Sequence, residues 1–279
     1  MRRRLDTELV RRGLARSRDH AAELIAAGRV RHAGLPAGKP ATQVDPADAL
    51  TVAEDPAQAG EDWVGRGARK LHGALDAFAA AGPGPQIAGR RCLDAGASTG
   101  GFTQVLLRRG AAHVVALDVG YGQLAWRLRT DPRVTVLERT NVRDATADLV
   151  GGAVGLVVAD LSFISLRLAL PALTRVTTPH ADHVLLVKPQ FEAGRDAVGR
   201  GGVVTDPEVR LSAVLGVVAA AGELGLALQG VTASPLPGPA GNVEYVVWLR
   251  RGEQRPDWRA SVAAAVRGPG GARGPGEET

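Results

Sequence analysis

Cys92-Leu93-Asp94-Ala95-Gly96-Ala97-Ser98-Thr99-Gly100-Gly101-Phe102, followed by the mainly apolar stretch from Thr103 to Leu107, is the segment on which the fold turns. It reads as the end of a buried strand, a glycine-rich turn and the opening of a helix. Gly lacks a Cβ and populates positive φ freely, so such a turn lets a ligand approach the backbone, and the unpaired N–H groups of the helix start point at it. A nucleotide-type ligand suits this loop. The pattern departs from the dinucleotide fingerprint G-x-G-x-x-G, because Asp94 stands two places before the first Gly and the paired glycines come later.

Outward from this loop, short apolar runs alternate with helix-length segments: Arg91 to Leu93, His113 to Val119, Val134 to Leu137, Leu156 to Ala159, His183 to Val187, Gln229 to Ala233 and Val243 to Leu249. That alternation predicts an α/β fold with a mostly parallel, doubly wound sheet. In such sheets ligands gather at the carboxyl ends of the strands, beside the point where strand order reverses. Asp118 ends the second predicted strand, about 20 residues after the glycine turn, the position of an acid that accepts hydrogen bonds from ribose hydroxyls. Asn141 follows the third strand and suits an adenine edge. Asp160 ends the fourth, Lys188 ends the fifth just before Pro189, and Glu244 opens the last. Any one of these is an ordinary strand-end residue; together they predict a site.

A chain of 279 residues has room for one large domain and a small one, and 45% hydrophobic with 23% charged residues is a globular balance, neither disordered nor fibrous. The single cysteine, Cys92, lies in an apolar strand, so no internal disulfide is possible and a cytoplasmic location is expected. The six histidines are scattered without metal spacing, so no metal is expected, and His183 reads as structural. The start MRRRLDTELV has no apolar h-region, and the most apolar later windows carry Asp160, Arg167 or Glu223, which argues against a signal peptide or a membrane-inserted helix.

Charge and lysine usage both have a location. Residues 1 to 31 hold nine Arg against four acids, an excess equal to the net +5 of the whole chain. A positive end on a balanced body suggests docking to phosphates. Of 34 Lys and Arg residues, only Lys39, Lys70 and Lys188 are Lys. An amine can lose its proton when desolvated or crowded by cations, whereas guanidinium stays charged, so a lysine kept among so many arginines is a candidate base. Lys188 is that candidate.

The N-terminal segment predicts two short helices, 5–12 and 17–27, with Gly13 ending the first, Ser17 capping the second and Gly28 closing it. Small β pieces follow at Arg29 to His32 and Thr42 to Val52. Arg4-Leu5-Asp6, Gly13-Leu14-Ala15-Arg16-Ser17-Arg18, Ala21-Ala22, Leu24-Ile25, Gly28-x-Val30, Lys39-Pro40 and Leu50-x-Val52 together resemble the S-four-type RNA-binding module, named for a small-subunit ribosomal protein. The departure is His32-Ala33-Gly34, where relatives have a more polar turn. The resemblance implies RNA contacts from Arg4, Arg16, Arg18, Arg29 and Lys39, with Arg66 added just beyond the acidic, Pro- and Gly-containing linker of Glu54 to Asp62.

Asp94-x-Gly96 resembles the S-adenosylmethionine loop of Rossmann-type methyltransferases, which implies cofactor contacts from Asp94, Gly96, Ser98, Thr99, Gly100, Gly101, Phe102, Asp118, Asn141 and Asp160. Lys70, Asp160, Lys188 and Glu244, in that order around the loop, resemble the Lys-Asp-Lys-Glu tetrad of ribose 2′-O-methyltransferases with the FtsJ-like fold. With Gly67-Ala68-Arg69-Lys70-Leu71, Ala159-Asp160-Leu161-Ser162-Phe163-Ile164-Ser165-Leu166, Val187-Lys188-Pro189-Gln190-Phe191-Glu192 and Gly241-Asn242-Val243-Glu244-Tyr245, the chain to about residue 250 resembles the TlyA, or haemolysin A, family. That resemblance implies methylation of the 2′-hydroxyl of cytidine in small- or large-subunit ribosomal RNA. Lys188 would be the base, Lys70 would keep it neutral and steady the developing alkoxide, and Asp160 and Glu244 would orient the two amines. Glu61 departs from the Arg of the family's Arg-x-Trp-Val linker, although Trp63 and Val64 match.

The expected organisation is an RNA-binding domain at 1–60 with a linker to about 64, a Rossmann-like methyltransferase domain at 65–250, and a largely disordered tail at 251–279. Gln190 to Val204, with Arg195 and Arg200, reads either as a loop able to close on RNA or as a plain surface loop. A nicotinamide dehydrogenase would also use Asp118 but lacks its fingerprint here. A membrane-active cytotoxin lacks an inserting segment, and a noncatalytic RNA binder would leave the strand-end residues without a role.

Overall fold

The computed structural model describes residues 3–12, 14–15, 18–45, 48–52, 63–194, 197–199 and 201–268. Contacts divide the chain into two compact units, Met1–Asp62 and Trp63–Thr279.

The first unit contains β1 (Arg3–Arg4), α1 (Leu5–Arg11), α2 (Arg18–Ala26), β2 (Val30–His32), β3 (Leu35–Pro36), β4 (Gln43–Val44) and β5 (Leu50–Val52). β1 pairs with β4, and β2 lies between β3 and β5, all antiparallel. Leu5 and Leu9 of α1 and Ala21, Leu24 and Ile25 of α2 recur at helical spacing and close a small core over Val30, Val44 and Leu50. Gly28 ends α2 at φ +67, a conformation open to Gly at no steric cost. The expected roles of Gly13 and Ser17 and the linker of Glu54 to Asp62 lie outside the described residues.

The second unit is built on α3 (Gly67–Ala81), β6 (Arg91–Ala95), α4 (Gly101–Arg108), β7 (His113–Leu117), α5 (Trp126–Arg129), β8 (Val134–Leu137), β9 (Val154–Ala159), α6 (Leu166–Arg175), β10 (Thr177–Val187), α7 (Pro189–Glu192), α8 (Pro207–Glu223), β11 (Leu226–Ala233), β12 (Tyr245–Arg251) and α9 (Trp258–Arg267). The strands form one seven-stranded sheet in the order β11-β12-β10-β9-β6-β7-β8. β10, β9, β6, β7 and β8 run parallel, and β12 pairs antiparallel with both β10 and β11. The fold is α/β and Rossmann-like, with helices on both faces.

Alternation along the strands builds those faces. In β6, Leu93 and Ala95 join a core with α6, α8 and α9, while Cys92 joins the opposite core with α3 and α4. Burial pushes the Cys92 thiol up to about 12, so it packs as a small hydrophobe. His183, in the middle of β10, has both ring nitrogens buried without a partner, and burial pushes it down to about 4. It is neutral and structural.

The expected tail needs correction. β12 continues through Arg251, and residues 258–267 form α9, whose Trp258 and Val262 are buried in the core. Alanine-rich spacing around those two apolar residues makes an amphipathic helix, and burying a side chain such as Val262 contributes about 1.5–3 kcal/mol. Residues 269–279 lie outside the described residues.

Candidate active site

The chain runs from β6 outward to β7 and β8, then returns to lay β9 on the other side of β6. The carboxyl ends of β6 and β9 therefore flank the switch point of the sheet, where a crevice opens. Gly96 follows β6 at φ +84, and its N–H donates to the Leu117 carbonyl at 2.8 Å. A Cβ there would lie 2.5 Å from the Asp160 carbonyl oxygen, so only Gly lets the two strand ends come this close. Gly100, at φ +96, turns the chain into α4. A side chain on it would strike Leu124 and Leu128.

The crevice is a cavity of about 830 Å³ whose wall includes Gly96, Ser98, Asp118, Asn141, Asp160 and Ser162. That volume falls within the roughly 300–1,000 Å³ of small-molecule sites. Asp118, just past β7, accepts from the Ser98 N–H at 2.8 Å and the Gly120 N–H at 2.6 Å, one to each carboxylate oxygen. Two backbone donors fix the carboxylate and leave lone pairs for a diol. Asn141 caps the turn at Val142–Asp144 by accepting from the Arg143 N–H at 3.0 Å.

The remaining residues expected to meet a cofactor stand behind this wall. Asp94 is fully buried, with Oδ2 accepting from Thr103 Oγ1 at 2.7 Å and Oδ1 without a partner. Burial, partly offset by Thr103, pushes its carboxyl up to about 7. Phe102 and Gly101 are buried against α3, and Thr99 Oγ1 occupies the space beside Gly65. Sequence reading could not see that the helix start is itself packed.

Two ion pairs bring the four expected catalytic residues together. Lys70, on α3, donates to Glu244 at 2.5 Å, and Lys188, just past β10, lies 2.6 Å from Asp160. Lys70, Lys188 and Glu244 are buried, and Glu244 Oε1 has no partner. A helix start links the pairs: a Cβ on Gly67, one turn before Lys70, would lie 3.7 Å from Asp160 Oδ2. Each amine is thus held by one carboxylate, at the end of the sheet where the cavity opens.

Several residues around the site were not singled out from sequence. Gln123 lines the cavity and accepts from Ser98 Oγ at 3.3 Å. Ser162 accepts from Lys188 Nζ at 3.0 Å, and Glu192 is buried against the start of α6. Phe163, 92% exposed at φ +63, stacks tilted on Phe191 with ring centroids 5.4 Å apart. Ser162, Phe163, Phe191 and Glu192 lie in the stretches quoted above, but nothing in their types or spacing distinguished them from ordinary loop residues.

The loop of Gln190 to Val204 is only partly as expected. Its first residues are the helical turn α7, and its last are fastened by buried Asn242, which accepts from the Val204 N–H at 2.9 Å and donates to the Gly202 carbonyl at 2.8 Å. Arg195 and Arg200 lie outside the described residues.

In the first unit, Arg4 and Arg18 both pair with Asp6, at 2.8 and 3.2 Å, and these partners hold its carboxyl well below the usual range. Arg11 and Arg12 pair with buried Glu8, which they hold down to about 2. Much of the N-terminal charge excess is therefore organised by the unit's own acids before any partner arrives. Arg29 is half-buried, Lys39 is exposed, and Arg66 is exposed in the second unit. Arg16 and Glu61 lie outside the described residues. Trp63 packs between His72 and Arg108, with its ring 5.5 Å from the imidazole and 4.2 Å from the guanidinium.

Among the described residues no group of His, Cys, Asp and Glu could hold a metal ion, and no helix is long and apolar enough to cross a membrane. The chain matches the S4 domain family over residues 3–50 and the FtsJ-like methyltransferase family over residues 63–251. It is 66% identical over 249 residues to the 16S/23S rRNA (cytidine-2'-O)-methyltransferase TlyA of Mycobacterium tuberculosis, covering 89% of this chain and 90% of that protein. Hemolysin A of Brachyspira hyodysenteriae is 34% identical over 87% of this chain and 98% of its own. A solved structure of a protein described as a hemolysin, from Streptococcus thermophilus, superposes with a TM-score of 0.73 at 35% identity, covering 94% of each chain. By its two domain matches and its relatives, the chain belongs to the TlyA family of FtsJ-like methyltransferases.

Proposed function

We propose that this protein transfers a methyl group from S-adenosylmethionine to the ribose 2′-hydroxyl of cytidine in ribosomal RNA of one or both subunits, in the cytoplasm. The observation that carries the reading is the pair of lysine–carboxylate contacts, Lys70–Glu244 and Lys188–Asp160, with both lysines buried, at the switch point of a Rossmann-like sheet.

The residues fit the cofactor. Asp94 offers a buried, unpartnered carboxylate oxygen that complements a cation, and Asp118 offers fixed acceptors on the cavity wall for ribose hydroxyls. Gly96, Ser98 and Asn141 would frame the same ligand, with Thr99, Gly100, Gly101 and Phe102 supporting the loop from behind. When bound, S-adenosylmethionine supplies an electrophilic methyl group on a sulfonium.

Lys188, as a neutral amine, would take the proton of the attacking ribose hydroxyl at Nζ and would then stand as an ammonium beside Asp160. Lys70, held by Glu244, lends positive charge to the oxygen while it is most negative. Arg4, Arg16, Arg18, Arg29 and Lys39 of the first unit, with Arg66, would neutralise RNA phosphates.

The reading is tested by single-turnover methylation of ribosomal RNA or subunits at saturating cofactor, with methylated riboses mapped by mass spectrometry. Lys188→Arg keeps the charge but not the ability to become a neutral amine, and is expected to slow transfer at least roughly 100-fold with cofactor and RNA binding nearly unchanged. Absence of 2′-O-methyl cytidine with the parent protein overturns the function. A Lys188→Arg protein of near-normal rate overturns the base assignment.

A further inference from the structure

Lys188 Nζ donates a hydrogen bond to Ser162 Oγ at 3.0 Å and stands in an ion pair 2.6 Å from Asp160 Oδ1. A neutral amine has two N–H bonds and one lone pair, disposed tetrahedrally. With one N–H committed to the Ser162 hydroxyl and the Asp160 carboxylate close beside it, the amine turns less freely and its lone pair has fewer directions to take. Asp160 and Ser162 both line the cavity, so the amine is held from two groups of its wall. Asp160 alone would leave the amine free to rotate about the line joining the two groups.

Ser162 follows β9 in a loop that is anchored at its far end. Glu192 Oε2 accepts from Ser165 Oγ at 2.5 Å, and Glu192 Oε1 accepts from the Leu166 N–H at 2.6 Å, at the start of α6. Arg167 adds contacts from its Nε to Glu192 Oε2 at 3.3 Å and from its guanidinium to the Glu192 carbonyl at 2.8 Å. Glu192 is itself four residues past Lys188, with the Phe191 N–H returning to the Lys188 carbonyl at 2.9 Å. The segment after β9 and the segment after β10 are thus tied twice, once through the amine and once through Glu192, whose side chain is 2% exposed.

We propose that Ser162 is a positioning residue that orients the Lys188 amine at the cavity wall, and that Glu192 holds the Ser162 loop in the place this requires. The proposal rests on Lys188 being the proton acceptor of the reading above. A serine suits the task because its hydroxyl accepts a hydrogen bond from the amine without adding a charge.

The chain has three lysines, so full-length protein labelled with carbon-13 at lysine Cε gives three signals, assigned by Lys39→Arg, Lys70→Arg and Lys188→Arg. Ser162→Ala should move the Lys188 signal and leave the other two in place. It should also lower single-turnover methyl transfer at least about tenfold at saturating RNA and cofactor, since small displacements of a reacting group cost heavily. Ser162→Thr keeps the hydroxyl and should restore both readouts to within about threefold of the parent rate. Glu192→Gln, with its charge removed, should move the same signal and slow the reaction in the same direction. An unmoved Lys188 signal in Ser162→Ala, or a parental rate in that variant, overturns the proposal. So does a Ser162→Thr protein as slow as Ser162→Ala. A moved Lys188 signal together with a parent protein that does not methylate RNA supports the contact and overturns the function reading instead.

Discussion

Asp94 is wholly buried with one carboxylate oxygen unpartnered, and burial pushes it from 3.8 up to about 7. A raised folded-state value means that the native protein holds this proton more tightly than the unfolded chain. The folded state is therefore favoured most below about pH 4 and loses stability as pH rises toward 7, by on the order of a few kcal/mol. His183 has the opposite sign: pushed down to about 4 by burial, it makes stability rise with pH between about 4 and 6.5. The two slopes are separated by comparing parent with Asp94→Asn. The variant should lose less melting temperature than the parent between about pH 5 and pH 8, because it has no carboxylate to ionise in the core. Equal losses would assign the slope to other groups.

At the scale of elements, the start of α4 lies against α3 at backbone distance. A Cβ on Gly101 would sit 2.7 Å from the Ala68 backbone nitrogen and 3.3 Å from the Gly67 carbonyl carbon. Backbone cannot swing aside as a side-chain tip can, so Gly101→Ala must push the two helices apart. A destabilisation of about 1–3 kcal/mol is expected, the usual scale for overpacking. Because the loop that carries Gly96 and Ser98 runs into α4, and α3 carries Lys70, cofactor affinity should fall as well. Urea unfolding and calorimetric titration with S-adenosylmethionine measure the two effects. A Gly101→Ala protein with the parent's midpoint and affinity would show that the helices separate freely.

For the whole molecule, the two units divide the chemistry: the N-terminal arginines lie in one and the cavity lies in the other. Deleting residues 1–62 should weaken RNA binding and flatten its dependence on salt, since fewer phosphate contacts release fewer counterions. Cofactor binding should be nearly unaffected. Arg4 and Arg18 already share Asp6, so each added phosphate contact competes with an internal partner, and the slope lost should fall short of one per deleted arginine. RNA affinity measured at several salt concentrations decides this; an unchanged slope would move the RNA site to the second unit.

The α/β fold, the switch-point loop and the strand ends bearing Asp118, Asp160, Lys188 and Glu244 were legible from the chain, because strand periodicity and glycine turns are local properties that survive in one dimension. The two N-terminal helices were legible for the same reason. Helix α9 was not: a Gly-, Pro- and Arg-rich stretch looks unstructured until Trp258 and Val262 meet a core to bury against. Which side of the loop faces the cavity was also hidden, as was the packing of Gly101 and Phe102 against α3 and of Gly100 beside Leu124 and Leu128. Nor could the sequence distinguish Ser162 and Glu192, whose partners stand 26 residues away across the sheet. Apolar patterning and backbone freedom are written into neighbouring residues. The pairing of an amine with a hydroxyl from another strand exists only once the sheet has brought the two ends together, and that was decided by the tertiary structure alone.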